Sequence, residues 1–91
     1  MTNRELVEEQ NEQMIRKIWN HYGEDAQTNK FIEELSELII ALTKNDIESI
    51  TEEMGDVEVM IAQFKSGLDI DTTPVINYKL KRTMRRIAEE E

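Results

Sequence analysis

The scarcity of helix-breaking residues is the feature that most constrains the fold of this chain. Its 91 residues include only three Gly and one Pro. Gly23, Gly67 and Pro74 fall where helical periodicity stops or restarts, which marks turns between long helices. The composition, with 38% hydrophobic and 34% charged residues, also favours helices over a sheet. We therefore predict a single all-α domain over residues 1–91, a four-helix bundle-like fold completed by oligomerisation.

Local signals place the ends of the predicted helices. Residues 2–5 fit a capping box that starts the first helix, and Gly23 closes it. The second helix is expected from about Asp25 or Thr28 to Lys44. Thr73 is the predicted N-cap of the fourth helix.

Apolar residues at helical spacing predict which face of each helix is buried. The inward-facing residues expected in the first two helices are Met14, Ile18, Tyr22, Phe31, Leu35, Leu38 and Leu42. Those expected in the last two are Ile50, Met54, Val57, Ile61, Phe64, Ile76, Leu80, Met84 and Ile87. Ile40 and Val59 point away from these stripes and are predicted interface residues.

The charge of the chain is strongly negative and unevenly spread. The net charge of −9 argues against binding to nucleic acid or to an anionic membrane, since both need a positive field. Residues 1–71 carry a net −11 and residues 72–91 a net +2, a pattern that suits binding of a metal and a phosphate together. The absence of Cys excludes disulfides and thiolate metal sites. Without a membrane-length apolar run or a signal-peptide core, a cytoplasmic protein is expected.

Two acidic pairs carry the strongest chemical signal. Glu34/Glu37 and Glu53/Asp56 each have i, i+3 spacing, which puts both side chains on one helical face. If the second and third helices pack antiparallel, the pairs meet across the groove and can hold Mg²⁺ or Mn²⁺. An isolated acidic pair more often makes a solvated face. Glu53, however, projects within about 40° of Val57 at the centre of the expected buried stripe, where an unpaired carboxylate is costly.

The acidic segments also resemble a known family. Glu33-Glu34-x-x-Glu37, followed after fifteen residues by Glu53-x-x-Asp56, is similar to the EExxE…ExxD signature of MazG-like all-α nucleoside triphosphate pyrophosphohydrolases. The similarity covers roughly residues 14–87 and resembles small, phage-type members.

The resemblance implies hydrolysis of a nucleoside triphosphate, with ribose or deoxyribose, between its α- and β-phosphates. It implies Mg²⁺ as cofactor, with Mn²⁺ as an alternative, held by Glu34, Glu37, Glu53 and Asp56. Glu33 carries over as an outer participant or a water-positioning base. A carboxylate-held Mg²⁺ suits this chemistry, because it neutralises phosphate oxygens and orients an attacking water without a covalent nucleophile.

Five further residues are candidates for substrate binding. Lys79 and Arg82 are expected to bind phosphates, although a solvated basic face explains them equally well. Lys30 is a further phosphate contact or a neighbour that balances charge. Trp19 stacks on the base or packs in the core, and Gln27 hydrogen-bonds the base edge.

The short chain leaves little material for a base pocket within one subunit, so we expect a homodimer or homotetramer to complete it. The competing hypothesis is a non-enzymatic acidic helical module that binds a nucleotide or a protein partner.

Overall fold

The computed structural model describes residues 1–91 and contains four α-helices and no strand. The helices are α1 (Asn3–Tyr22), α2 (Glu24–Lys44), α3 (Ile47–Gly67) and α4 (Thr73–Glu90). The all-α prediction is confirmed. None of the four helices combines the length and the apolar character that a membrane span requires.

The helix ends follow the local chemistry of the sequence. The Thr2 hydroxyl accepts a hydrogen bond from the Glu5 N–H at 3.1 Å, as in the predicted cap of α1. Gly23, at a φ of 86°, is the only residue between α1 and α2. The predicted start of α4 is wrong by one residue: Thr72 is the N-cap, and the Asp71 carboxylate rather than a threonine hydroxyl accepts the hydrogen bond of the Thr73 N–H. A carboxylate accepts this bond readily because it is charged.

Helices α1, α2 and α3 pack together as a three-helix body. Gln27 near the start of α2 bonds Gln63 near the end of α3, so the two helices run antiparallel. Phe64 of α3 joins all three helices, because its ring centroid lies 5.0 Å from that of Trp19 in α1 and 5.3 Å from that of Phe31 in α2. The Trp19 indole lies against the backbone of Gly67, where an added Cβ would overlap the ring.

The buried core of this body is small and half polar. Its six buried residues are Ala41, Val57, Met60, Gln27, Glu34 and Gln63. The predicted stripes are wrong in part: Met54 is 46% exposed and Leu42 56% exposed. The reason is that each helix buries a different line of residues: Gln27, Glu34 and Ala41 on α2, and Val57, Met60 and Gln63 on α3.

Helix α4 stands apart from the three-helix body. None of its Cα atoms lies within 8 Å of a Cα atom in another helix. The prediction that its apolar residues face inward is therefore wrong for a single chain: Leu80 is 62% and Met84 64% exposed. The chain exposes 7513 Å², against about 5,500 Å² for a compact monomer of this mass. Its radius of gyration is 16.4 Å, against about 12 Å for a compact domain of this length.

Candidate metal centre and adjoining cavities

Four carboxylates meet at the α2–α3 interface. Glu34, Glu37, Glu53 and Asp56 each offer one oxygen, and these oxygens all lie within 4.8 Å of one another. We call these four residues the carboxylate cluster. The i, i+3 spacing on two antiparallel helices produces this arrangement, because it brings one pair opposite the other.

The carboxylate cluster contains oxygens that the protein leaves unpaired. Glu34 is only 5% exposed. One oxygen of Glu34 and one of Glu53, both Oε2, are enclosed and have no hydrogen-bond partner. An enclosed carboxylate oxygen without a partner is unfavourable unless a cation binds it. Hard oxygen donors in this number fit Mg²⁺ or Mn²⁺, so the residues present could hold the metal that the resemblance implies.

Desolvation and mutual repulsion shift the pKa of two members of the carboxylate cluster. Desolvation, and then repulsion from Glu37, raises the pKa of Glu53 above its ordinary 4.5. Desolvation, and then repulsion from Glu34, raises the pKa of Asp56 above its ordinary 3.8, although Asp56 is the most solvent-open of the four side chains. Both shifts show that the charged forms are disfavoured in the folded protein without a cation.

Lys30 orients the most buried member of the carboxylate cluster. Its Nζ lies 3.0 Å from Glu34 Oε1, one helical turn away on α2. The hydrogen bond to Glu34, and then the charge of Glu33, raises the pKa of Lys30. Because Oε1 is engaged by Lys30, Oε2 is the Glu34 oxygen left free for a metal ion.

A cavity of about 580 Å³ adjoins the carboxylate cluster on the side of α1. Glu34 and Asp56 belong both to the cluster and to the cavity wall. The remaining lining residues are Ile18, Tyr22, Ala26, Gln27, Asn29, Lys30, Glu33, Val59, Met60 and Gln63. Apolar side chains with a few amides suit a planar ligand with hydrogen-bonding edges. We call this space the large cavity.

A smaller cavity of about 190 Å³ lies on the opposite side of the carboxylate cluster. Its wall includes Glu37 and Glu53, together with Lys44 and Ser49 at the α2–α3 connection. The carboxylate cluster therefore separates two spaces, and each space has one lysine in its wall.

The predicted substrate-binding residues lie in three places: the wall of the large cavity, the contact between α1 and α3, and helix α4. Gln27 and Lys30 line the large cavity, as does Glu33, which lies outside the carboxylate cluster. Trp19 packs on Phe64 and is not in the cavity wall, so its role in base stacking stays a prediction.

The two basic candidates on α4 are not brought to the carboxylate cluster within one chain. Lys79 is exposed, and the Arg82 guanidinium lies 5.8 Å from the centre of the Tyr78 ring. Arg82 also has an enclosed Nε without an acceptor. Phosphate binding by these residues stays a prediction.

Sequence reasoning missed Gln63 and Lys44. A signal for both was present, because each follows a predicted ligand by seven residues, two helical turns: Gln63 follows Asp56 and Lys44 follows Glu37. Residues at this spacing share a helical face. The acidic motif alone does not indicate that its neighbours two turns away line the cavities.

The fold and this geometry define an all-α protein with a carboxylate cluster that could hold a metal ion between two antiparallel helices. A family profile described as the MazG nucleotide pyrophosphohydrolase domain matches residues 22–89. Since the match covers most of the chain, the protein belongs to this family, which confirms the resemblance seen in the acidic motif. No curated protein and no solved structure matches the chain.

Proposed function

We propose that this protein is a Mg²⁺-dependent pyrophosphohydrolase that converts nucleoside triphosphates to nucleoside monophosphates and pyrophosphate. The observation that carries the proposal is the carboxylate cluster, with enclosed oxygens on Glu34 and Glu53 that lack any partner. Membership of the MazG nucleotide pyrophosphohydrolase family supports the same chemistry.

In this proposal the carboxylate cluster holds the metal ion. A Mg²⁺ ion bound there would neutralise phosphate oxygens and orient the attacking water. Lys30 holds Glu34 through Oε1, which leaves the enclosed Oε2 available to the metal ion. The nucleoside occupies the large cavity, because that cavity shares Glu34 and Asp56 with the cluster.

The reaction needs no covalent intermediate on the protein. Water attacks the α-phosphorus, the bond from that phosphorus to the bridging oxygen breaks, and the bridging oxygen leaves with pyrophosphate. The proton of the attacking water passes to a base, for which Glu33 in the wall of the large cavity is the candidate. Without a cation, the carboxylate cluster would repel the triphosphate.

The activity is tested by incubating the protein with each common nucleoside triphosphate and Mg²⁺ and separating the products. We expect equal amounts of monophosphate and pyrophosphate. Release of orthophosphate alone, or no turnover of any nucleotide, would contradict the proposal. The alternative, a non-enzymatic module, predicts nucleotide or protein binding without product.

We further propose that the protein works as a homodimer in which α4 covers the partner. The chain exposes 7513 Å², which is about 2,000 Å² more than a compact monomer exposes. An excess of this size matches the surface that obligate dimers bury. The opposite charges of residues 1–71 and 72–91 favour contact between the body of one copy and α4 of the other.

This arrangement offers a route by which Lys79 and Arg82 reach a substrate. Since α4 does not approach the carboxylate cluster of its own chain, the two cations would serve the site of the partner. The test mixes two inactive variants, Glu53→Gln and Arg82→Ala, after unfolding and joint refolding. If Arg82 acts across the dimer, about a quarter of the activity returns, because half of the dimers are mixed and each has one intact site. If it acts within one chain, no mixed dimer has an intact site and none returns.

A further inference from the structure

Two buried amides form the inner wall of the large cavity. Gln27 is 6% exposed and Gln63 1% exposed. Gln27 Nε2 donates a hydrogen bond of 2.7 Å to Gln63 Oε1 across the α2–α3 interface. We call these two residues the amide pair. It lies two helical turns from Glu34 and Asp56, on the same faces of the same helices.

Met60 fixes the orientation of the amide pair. Gln63 Nε2 lies 3.5 Å from the Met60 sulfur. A thioether sulfur has no hydrogen to donate, so the Gln63 group that faces it must be the NH₂ group. The Gln63 oxygen then faces Gln27, which can meet it only with its own NH₂ group. Because Gln63 is almost fully buried, bulk water does not reach it to compensate for the opposite orientation.

The fixed orientation leaves one acceptor without a partner. Gln27 Oε1 receives no hydrogen bond from the chain, and it is not among the fully enclosed unpaired atoms. Since Gln27 lines the large cavity, this oxygen is an uncharged acceptor available to a ligand there, beside the carboxylates of Glu33, Glu34 and Asp56. A nearly buried amide whose oxygen has no partner is typical of sites that recognise a hydrogen-bond donor on the edge of a ligand.

From this geometry we infer that Gln27 is a specificity-determining residue that accepts an N–H from the nucleobase, and that Gln63 is the residue that positions it. The inference rests on the proposed function for the placement of the nucleoside. It adds the direction of the hydrogen bond: the base must donate from a ring imino or exocyclic amino group to Gln27. Nucleotides whose base lacks that donor are poor substrates.

The test compares each accepted nucleotide with an analogue that lacks the N–H on its Watson–Crick edge. The analogue base is purine for adenine, 2-pyrimidinone for cytosine, N3-methylthymine for thymine and N1-methylhypoxanthine for guanine, since this last base lacks both the ring imino and the exocyclic amino donor of guanine. The protein is the full chain with Mg²⁺, and kcat/KM is measured for both members of a pair. We expect the analogue to be at least about tenfold poorer, because its binding leaves the Gln27 oxygen desolvated without a donor.

Variants separate recognition from structure. Gln27→Met removes the acceptor, so kcat/KM for the two members of a pair should become equal. Gln63→Met frees Gln27 to turn either group toward the base, so the preference should shrink while hydrolysis of the analogue does not fall. A merely structural role of Gln63 would lower both rates together and leave their ratio unchanged, which would overturn its positioning role. The double variant Gln27→Met/Gln63→Met removes both partners and leaves no buried group unpaired, which keeps the test valid if a single variant folds poorly.

Binding measurements distinguish failure of this inference from failure of the proposed function. Calorimetry with α,β-imido analogues and Mg²⁺ reports the same pairs without hydrolysis. If no nucleotide is cleaved but the donor-bearing base binds at least about tenfold tighter, the inference holds and the hydrolysis fails. Equal kcat/KM or equal affinity for the two members in the unmodified protein would overturn the inference, as would a preference that persists in Gln27→Met. Absence of any nucleotide binding would overturn both.

Discussion

The α2–α3 interface buries polar residues, whereas helix α4 exposes apolar ones. At the interface, polar groups occupy three of the six buried positions, namely the amide pair and Glu34. On α4, apolar residues such as Leu80 and Met84 are exposed. In one chain, then, the polar groups are enclosed and the apolar face is not. The proposed function accounts for this difference, since it places a ligand at the three-helix body and the surface of a second copy against α4.

The largest expected effect comes from removing one charge from the α2–α3 interface. Glu53→Gln should lower Mg²⁺-dependent hydrolysis by at least about a hundredfold, because the metal loses a ligand. The same change should raise the melting temperature of the metal-free protein, since it removes a repelled and desolvated charge. Glu58→Gln, an exposed change on the same helix, serves as the control and should alter neither quantity. An active Glu53→Gln protein would exclude Glu53 as a ligand.

The corresponding test on α4 places a charge on its apolar face. Leu80→Asp should convert the proposed dimer to monomers, because an unpaired carboxylate in an apolar interface is strongly unfavourable. Light scattering coupled to size-exclusion chromatography measures this. Lys81→Asp, also on α4, removes electrostatic attraction but keeps the apolar contact, so it should weaken the dimer less than Leu80→Asp. An unmodified protein that is monomeric at micromolar concentration would refute the role assigned to α4.

A smaller effect tests how the body itself is packed. Gly67→Ala should destabilise the fold by about 1–3 kcal/mol, since the new Cβ would overlap the Trp19 indole. Gly55→Ala, on the same helix, meets no atom within 4 Å. It should therefore be neutral or stabilise by about 0.5–1 kcal/mol through helix propensity. Urea denaturation compares the two, and equal effects would show that the Trp19 contact is not rigid.

The smallest effect is a dependence of stability on pH. The raised pKa values of Glu53 and Asp56 mean that the folded, metal-free protein binds more protons than the unfolded chain. From these two groups, stability should increase as pH falls through the raised values, and the gain should be complete below the ordinary values of 4.5 and 3.8. Saturating Mg²⁺ should reverse the trend, because it binds the ionised form. Melting curves across pH measure this, and Glu53→Gln should flatten the metal-free profile.

Much of the fold could be predicted from the sequence, because residues close together in the chain determine the ends of the helices. Breakers and caps such as Gly23 and Thr2 fix the helix ends without reference to the rest of the chain. The meeting of the carboxylates was also predictable, since i, i+3 spacing and a short α2–α3 connection determine it.

The buried faces of the helices were harder to predict, for a physical reason. Helical periodicity identifies an apolar stripe but not what covers it, and on α4 nothing in the same chain does. Glu53 was expected near the buried face of α3, and one of its oxygens is enclosed. Periodicity gave no sign that Glu34, at 5% exposed and paired with Lys30, would be buried as well. The orientation of the amide pair depends on the Met60 sulfur, a contact that only side-chain packing determines.

The connections between helices have a consequence for how the protein assembles in time. A single residue joins α1 to α2, and two residues join α2 to α3. Such short connections make closure of the three-helix body a rapid step within one molecule. Residues 68–72 form a longer connection to α4. In the proposed dimer, the apolar face of α4 is covered only when a second molecule binds. Refolding should then show one phase whose rate is independent of protein concentration and a later phase whose rate rises with it.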